Sequence, residues 1–304
     1  MKYAIIGTGA IGGYYGGRLA QAGCDVDFLF HTEYEHVKRN GLRVDSVEGN
    51  FVVNPISAYR STLDMPQADV ILVALKSTAN SLLPNMLQPI LKPTSLVILI
   101  QNGLGLEAKL SEALPQTSIA GGMAFICSSR VAPGHINHAD YGALNVGFFA
   151  HDNYDVLHAV QNDFERAKVQ FTIAPDLNEA RWRKLVWNIP YNGLTVALNT
   201  STDKLMRQAD SRKLVADLME EVINGAAACG ARIEHAFIDK MLSMTDIMTP
   251  YSPSMKLDFD NHRPLEIEAI YSNPVAAARK AGYEMRKTEM LEQLLKFISY
   301  KDDV

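Results

Sequence analysis

The chain has 304 residues and a net charge of −5, enough for two cores of the usual ~150 residues and too acidic for nucleic acid or an anionic membrane as main partner. Its composition, 47% hydrophobic and 21% charged, is that of an ordinary globular protein, with no run of ~18 apolar residues to span a membrane. Cys24, Cys127 and Cys229 are odd in number and widely spaced, and the histidines form no HxH or HxxxH pair; this excludes a disulfide framework, argues against a metal site, and points to a reducing, cytoplasmic setting.

Tyr3 to Ile6 reads as a short buried strand. The run Gly7-Thr8-Gly9-Ala10-Ile11-Gly12 follows with GxGxxG spacing, and a helical pattern extends from about Ala10 to Ala22. The first glycine permits a tight turn, the second lets a pyrophosphate reach the backbone, and the third lets the helix pack on the strand. The spacing alone fits any glycine-rich turn; with a strand before and a helix after, it reads as a dinucleotide cradle. Asp25 to Phe30 is the next strand. NAD sites commonly place an acid about 20 residues past the glycines, whereas NADP sites favour a base. His31 stands at that point, and Lys76 could add a second positive charge, so the reading leans to NADP; Glu33 is the residue that would reverse it.

Leu42 to Ile56 suggests a hairpin turning at Glu48-Gly49-Asn50. Ala68–Leu75 and Leu96–Ile100 are Val/Ile/Leu runs typical of strands buried on both faces. The loop Gln101-Asn102-Gly103-Leu104-Gly105 leads into another helix. Ile119–Cys127 and a hairpin from His135 to Phe148 extend the sheet, followed by a helix near Tyr154–Ala167 and a strand at Gln170–Ile173. Strands alternating with helices predict an α/β, doubly wound, mostly parallel sheet over residues 1–175. Residues 176–304 then read as all-α, with helices near 179–198, 210–229, 234–248, 264–281 and 285–300 and breaks at Asn199–Thr202, Gly230 and Thr249–Pro253.

On a helix over 181–196, Arg181, Asn188, Asn192 and Thr195 fall within about 80° of Lys184 at ~100° per residue. The rest of the wheel is apolar, so a narrow polar stripe crosses a buried helix, which suits a functional cleft better than a surface helix. The same stripe could instead be structural polar groups facing a neighbour. Pro190 either sits inside this helix, removing one backbone bond, or starts a second helix after Ile189. Glu266 or Glu268 must approach the apolar face of Leu265, Ala269, Ile270 and Ala276, and Ser254 sits in a Pro/Ser loop twelve positions before Glu266.

Together these residues resemble the ketopantoate reductase family (2-dehydropantoate 2-reductase), within the 6-phosphogluconate dehydrogenase-like oxidoreductases. Trp182-Arg183-Lys184-Leu185 with Asn188 and Asn192 is similar to the family's WRKL-xx-N-xxx-N segment, and Gln101–Gly105 to its xNGxG loop. Ser254 and Glu266 match a family Ser and Glu at the same spacing. The resemblance implies an N-terminal Rossmann-type NADP-binding domain, a C-terminal helical substrate and catalytic domain, and NADPH-dependent reduction of ketopantoate to pantoate in pantothenate biosynthesis. It makes Lys184 the general acid and Glu266 a catalytic partner holding the substrate hydroxyl. Asn188, Asn192 and Ser254 bind substrate, and Asn102 serves both substrate and cofactor. The family often has Arg at His31, and its further substrate Asn aligns here with Thr202 or its neighbours. A homodimer would fit the family. The rival readings are a reductase of another 2-keto acid and a non-catalytic dinucleotide sensor.

Overall fold

Tyr3, Ala4, Ile5 and Ile6 are fully buried in the first strand of the computed structural model, which describes residues 1–248 and 252–300. The chain clusters into two units, Met1–Gln101 with Leu106–Leu177, and Asn102–Gly105 with the residues from Asn178 onward.

In the first unit the elements run β1 (Lys2–Ile6), α1 (Ala10–Gln21), β2 (Asp25–Leu29), α2 (Tyr34–Asn40), β3 (Leu42–Ser46), β4 (Phe51–Val53), β5 (Ser57–Tyr59), β6 (Ala68–Val73), α3 (Leu83–Leu87), β7 (Leu91–Leu99), α4 (Leu106–Ala113), β8 (Ser118–Ala132), β9 (His135–Ala150), α5 (Tyr154–Arg166) and β10 (Phe171–Ile173). One sheet holds them in the order β4-β3-β9-β8-β7-β6-β1-β2-β5, with β10 beside β9. Among the described residues only β3–β4 and β8–β9 pair antiparallel, so the sheet is mixed but mostly parallel. From β1 the chain steps to β2 on one side and later to β6 on the other. That reversal makes a crevice at the strands' carboxyl ends, where α/β sheets bind ligands.

The expected hairpin within His135–Phe148 is corrected. Those residues belong to one long strand, β9, which pairs with β8 around a turn at Pro133-Gly134. Pro cannot donate to a ladder and Gly134 takes φ +63°, so the chain reverses there. Gly142, at φ +129°, is the extra residue of a bulge, because Phe125 pairs with Ala143 and Ile126 with Tyr141. The β3–β4 hairpin turns at Gly49 as expected but ends at Val53, two residues before Pro55, which has no N–H to give.

In the second unit the helices are α6 (Leu177–Ala197, its first residue clustering with the first unit), α7 (Thr202–Arg207), α8 (Ala209–Ala228), α9 (Ala236–Ile247), α10 (Ser254–Asp260), α11 (Asn273–Lys280) and α12 (Arg286–Ser299), with a π turn at Glu268–Ser272 leading into α11. Trp182, Leu185, Tyr191, Val222, Tyr271 and Leu295 share one buried core. Glu221 of α8 caps α12: it accepts from Lys287 N at 2.9 Å and from Thr288 N and Oγ1, both at 2.7 Å.

Two further expectations change here, and of the two readings of Pro190 the one inside a helix holds. Ser254 is not in a loop but opens α10, whose Met255 is buried in the core. Ala276 is exposed, so the buried face of this segment runs through Ala269, Ile270, Val275 and Ala278. Pro190 does not start a second helix: α6 is continuous through it, and Tyr271 Oη donates to the neighbouring Ile189 carbonyl at 2.9 Å. Within the expected break at Thr249–Pro253, residues 249–251 lie outside the described residues. Among the described residues no helix is long and apolar enough to cross a membrane, and no cluster could hold a metal ion.

Candidate active site

The glycine turn between β1 and α1 is built by steric necessity at two positions and by openness at the third. Gly7 takes φ +96°, and a Cβ there would meet Leu75 N at 2.6 Å. At Gly12 a Cβ would strike the Gly7 carbonyl and touch Ile5 Cγ2 at 3.0 Å, so the helix can lie this close only without a side chain. Gly9, the N-cap of α1, has φ −87°, and a Cβ there would meet nothing within 4 Å. Protein packing therefore does not require glycine at Gly9. A pyrophosphate lying on the backbone would require it, so the turn fits such a ligand.

Ala10 and Ile11 open α1, whose first turn has no acidic residue to compete with an anion for its unpaired N–H groups. Thr8 Oγ1 donates to Leu29 O at 2.9 Å, fastening the turn to the end of β2, so its side chain is already engaged. Ser128 Oγ of β8 donates to Ala10 O at 3.3 Å from the other flank.

His31 is exposed two residues past β2, and Lys76 is exposed three residues past β6, both at carboxyl ends of strands next to β1. Glu33, the residue that would reverse the cofactor reading, is only 8% exposed. Its carboxylate accepts from Gly134 N at 2.8 Å and forms an ion pair with Arg130. Glu33 is thus committed to the protein. Arg130 lies 97 positions away in β8, and no local signal in the sequence announces the pairing. At the end of β7, Gln101 Nε2 donates to Leu75 O and to Asn80 Oδ1, both at 2.7 Å.

The second unit carries Asn102, Lys184, Asn188, Asn192, Ser254 and Glu266. The α6 stripe is buried: Arg181, Asn188, Asn192 and Thr195 are 2%, 3%, 1% and 0% exposed, and Lys184 is intermediate. Asn188 Nδ2 donates to Asn102 Oδ1 at 3.3 Å, which brings two of the expected site residues together. Among the described residues neither polar atom of the Asn192 amide has a hydrogen-bond partner. Buried polar groups are almost always paired, so an orphaned amide on this stripe suits a group that receives its partner from a substrate. Glu266 is buried at 5% exposure, whereas Glu268 is exposed, which settles which carboxylate faces inward. Glu266 O accepts from Ile270 N at 3.1 Å as the chain enters the π turn. Tyr271 of that turn donates to α6, and burial holds its phenol well above the ordinary range, so it remains a donor. Ser254 is half-buried at the start of α10, and Thr202 is buried at the start of α7.

Residues 3–151 match the family model "Ketopantoate reductase PanE/ApbA", and residues 176–299 match its C-terminal counterpart. A 2-dehydropantoate 2-reductase of Nostoc sp. (strain PCC 7120) is 46% identical over 302 residues, covering 98% of this chain and 95% of that protein. A crystal structure of 2-dehydropantoate 2-reductase from Geobacter metallireducens superimposes with TM-score 0.94 at 38% identity, covering 98% of this chain and 99% of the other. D-mandelate dehydrogenase, solved with NADH and anilino(oxo)acetate, shares the fold at TM-score 0.89 and 22% identity, covering 98% of each chain. The chain therefore belongs to the ketopantoate reductase family, a family of NAD(P)-dependent oxidoreductases.

Proposed function

We propose that this chain reduces 2-dehydropantoate to pantoate with NADPH, a step that supplies pantothenate and coenzyme A. The observation that carries this is the α6 stripe of half-buried Lys184 with buried Asn188 and Asn192, and the Asn192 amide on it without a partner among the described residues. Residues 1–175 serve as the NADP-binding domain, and residues 176–304 as the substrate and catalytic domain. The Gly7–Gly12 turn and the first turn of α1 hold the pyrophosphate. His31 and Lys76 face the 2′-phosphate, a choice favoured by the sequestration of Glu33.

When bound, the reduced nicotinamide supplies a hydride to the keto carbon. Lys184 stabilises the negative charge growing on the keto oxygen and donates its proton there, a contribution of typically ~10²–10⁴-fold. Asn188 and Asn192 orient the substrate by hydrogen bonds, Ser254 holds its carboxylate, and Glu266 accepts from its hydroxyl. Asn102, fixed by Asn188, borders both the nicotinamide and the substrate. The enzyme works in the cytoplasm as a homodimer.

The D-mandelate dehydrogenase likeness shows that this fold also serves another 2-hydroxy acid, so the rival is a reductase of a different 2-keto acid. Initial rates with NADPH and with NADH against a panel of 2-keto acids decide between them. The highest kcat/KM is expected for 2-dehydropantoate with NADPH. A higher value for an aryl 2-keto acid, or for NADH, overturns the assignment.

A further inference from the structure

The π turn before α11 has a local cause and a distant consequence. In a regular α-helix Asn273 N would bond the Ala269 carbonyl. Here it reaches one residue further back, to Glu268 O. In that wider register the donor for Ala269 O would be the N–H of residue 274, and that residue is proline. Ala269 O is therefore left without a donor inside its own helix. The donor it meets is Leu104 N, at 2.9 Å. Asn273 Nδ2 completes the grip by donating to Leu104 O at 2.7 Å. Both backbone groups of Leu104 are thus taken by one short stretch, 269–273.

Gly103 is fitted to the same surface. A Cβ there would lie 2.5 Å from Ala269 Cβ and from Ala269 O, and its φ of +109° suits glycine alone. Next to it, Asn102 presents Oδ1 to Asn188. The side chain assigned to the nicotinamide end of the site is thus held from both sides, by α6 and by the π turn.

We propose that Asn273 and Pro274 are positioning residues for Asn102: Pro274 keeps the Ala269 carbonyl free for Leu104 N, and Asn273 holds the Leu104 carbonyl. This rests on the reading that Asn102 borders the reacting groups. π turns inside helices recur at functional sites, and this one creates an acceptor that a regular turn would consume.

The test uses Asn273→Asp, which removes the donor at constant shape, and Pro274→Ala, which returns an N–H to residue 274. Each should lower kcat about threefold to tenfold, as the loss of one hydrogen bond allows, with the NADPH Kd within about twofold. Amide hydrogen exchange at Leu104 should quicken by a similar factor. In an Asn102→Ala background, Asn273→Asp should cost little more, since coupled residues are not additive. Full additivity in that cycle, or unchanged exchange at Leu104 in both variants, overturns the proposal. Should Asn102→Ala alone turn over normally, the assignment of Asn102 fails, and the exchange rate of Leu104 still decides whether the clamp exists.

Discussion

Replacing Asn192 by Leu should raise the stability of the free protein while disabling the enzyme. The Asn192 side chain is 1% exposed, and among the described residues neither its Oδ1 nor its Nδ2 has a hydrogen-bond partner. Holding such a group away from water costs about 1–3 kcal/mol, and leucine has the same branching with nothing to desolvate. Its fuller methyl groups return part of the gain, leaving about 1 kcal/mol, or roughly 2–4 °C in Tm for a chain of this size. Asn188→Leu supplies the contrast, because it breaks the 3.3 Å bond to Asn102 and should lower Tm. If both amides bind substrate, both variants lose about tenfold to a hundredfold in kcat/KM, the worth of a hydrogen bond to a charged group. Thermal unfolding of the ligand-free variants and steady-state kinetics measure the two effects separately. Asn192→Leu with a lower Tm and unchanged kcat/KM would refute the reasoning and make Asn192 a packing residue.

Glu266→Ala should cost about 1.5–3 kcal/mol of transition-state binding with 2-dehydropantoate, and much less with an analogue lacking the hydroxyl; equal losses would make Glu266 structural. Glu221→Ala strips three acceptor contacts from the start of α12, two of them made by Thr288, which is fully buried. It should destabilise the second unit by about 2–4 kcal/mol in urea unfolding, whereas a loss below 0.5 kcal/mol would show that the cap carries little energy. Burial raises the pKa of Tyr14 and Tyr191 to about 12, and those of Tyr3, Tyr15 and Tyr271 further. The unfolded chain ionises its tyrosines near ~10, so this stability is intact below that pH and is lost as pH rises toward and beyond the folded values. Tyrosinate absorbance near pH 11 should therefore show these five still protonated in folded protein; all twelve tyrosines titrating together with native circular dichroism intact would contradict it.

The parts of the site legible in the sequence are those whose chemistry is local. Gly7, Gly9 and Gly12 announce a cradle because turn geometry and helix packing act within six residues. The α6 stripe is visible because helical periodicity puts Lys184, Asn188 and Asn192 in one line. Which of Glu266 and Glu268 faces inward is not legible in the sequence, since a π turn shifts the periodicity that would decide it. The neutralisation of Glu33 by Arg130 and the grip of 269–273 on Leu104 depend on pairings 97 and about 165 positions apart. The 135–148 segment reads as a hairpin in sequence, whereas Gly142 forms a bulge that has a turn's glycine and positive φ but does not reverse the chain.

The central claim is a Lys184-assisted reduction of 2-dehydropantoate, and it is tested most directly by following NADPH oxidation and pantoate formation together, in the wild type and in Lys184→Ala. One pantoate per NADPH is expected in the wild type. In the variant kcat should fall at least ~10²-fold with NADPH affinity unchanged. Near-normal turnover by Lys184→Ala, or oxidation of NADPH without pantoate, would contradict it.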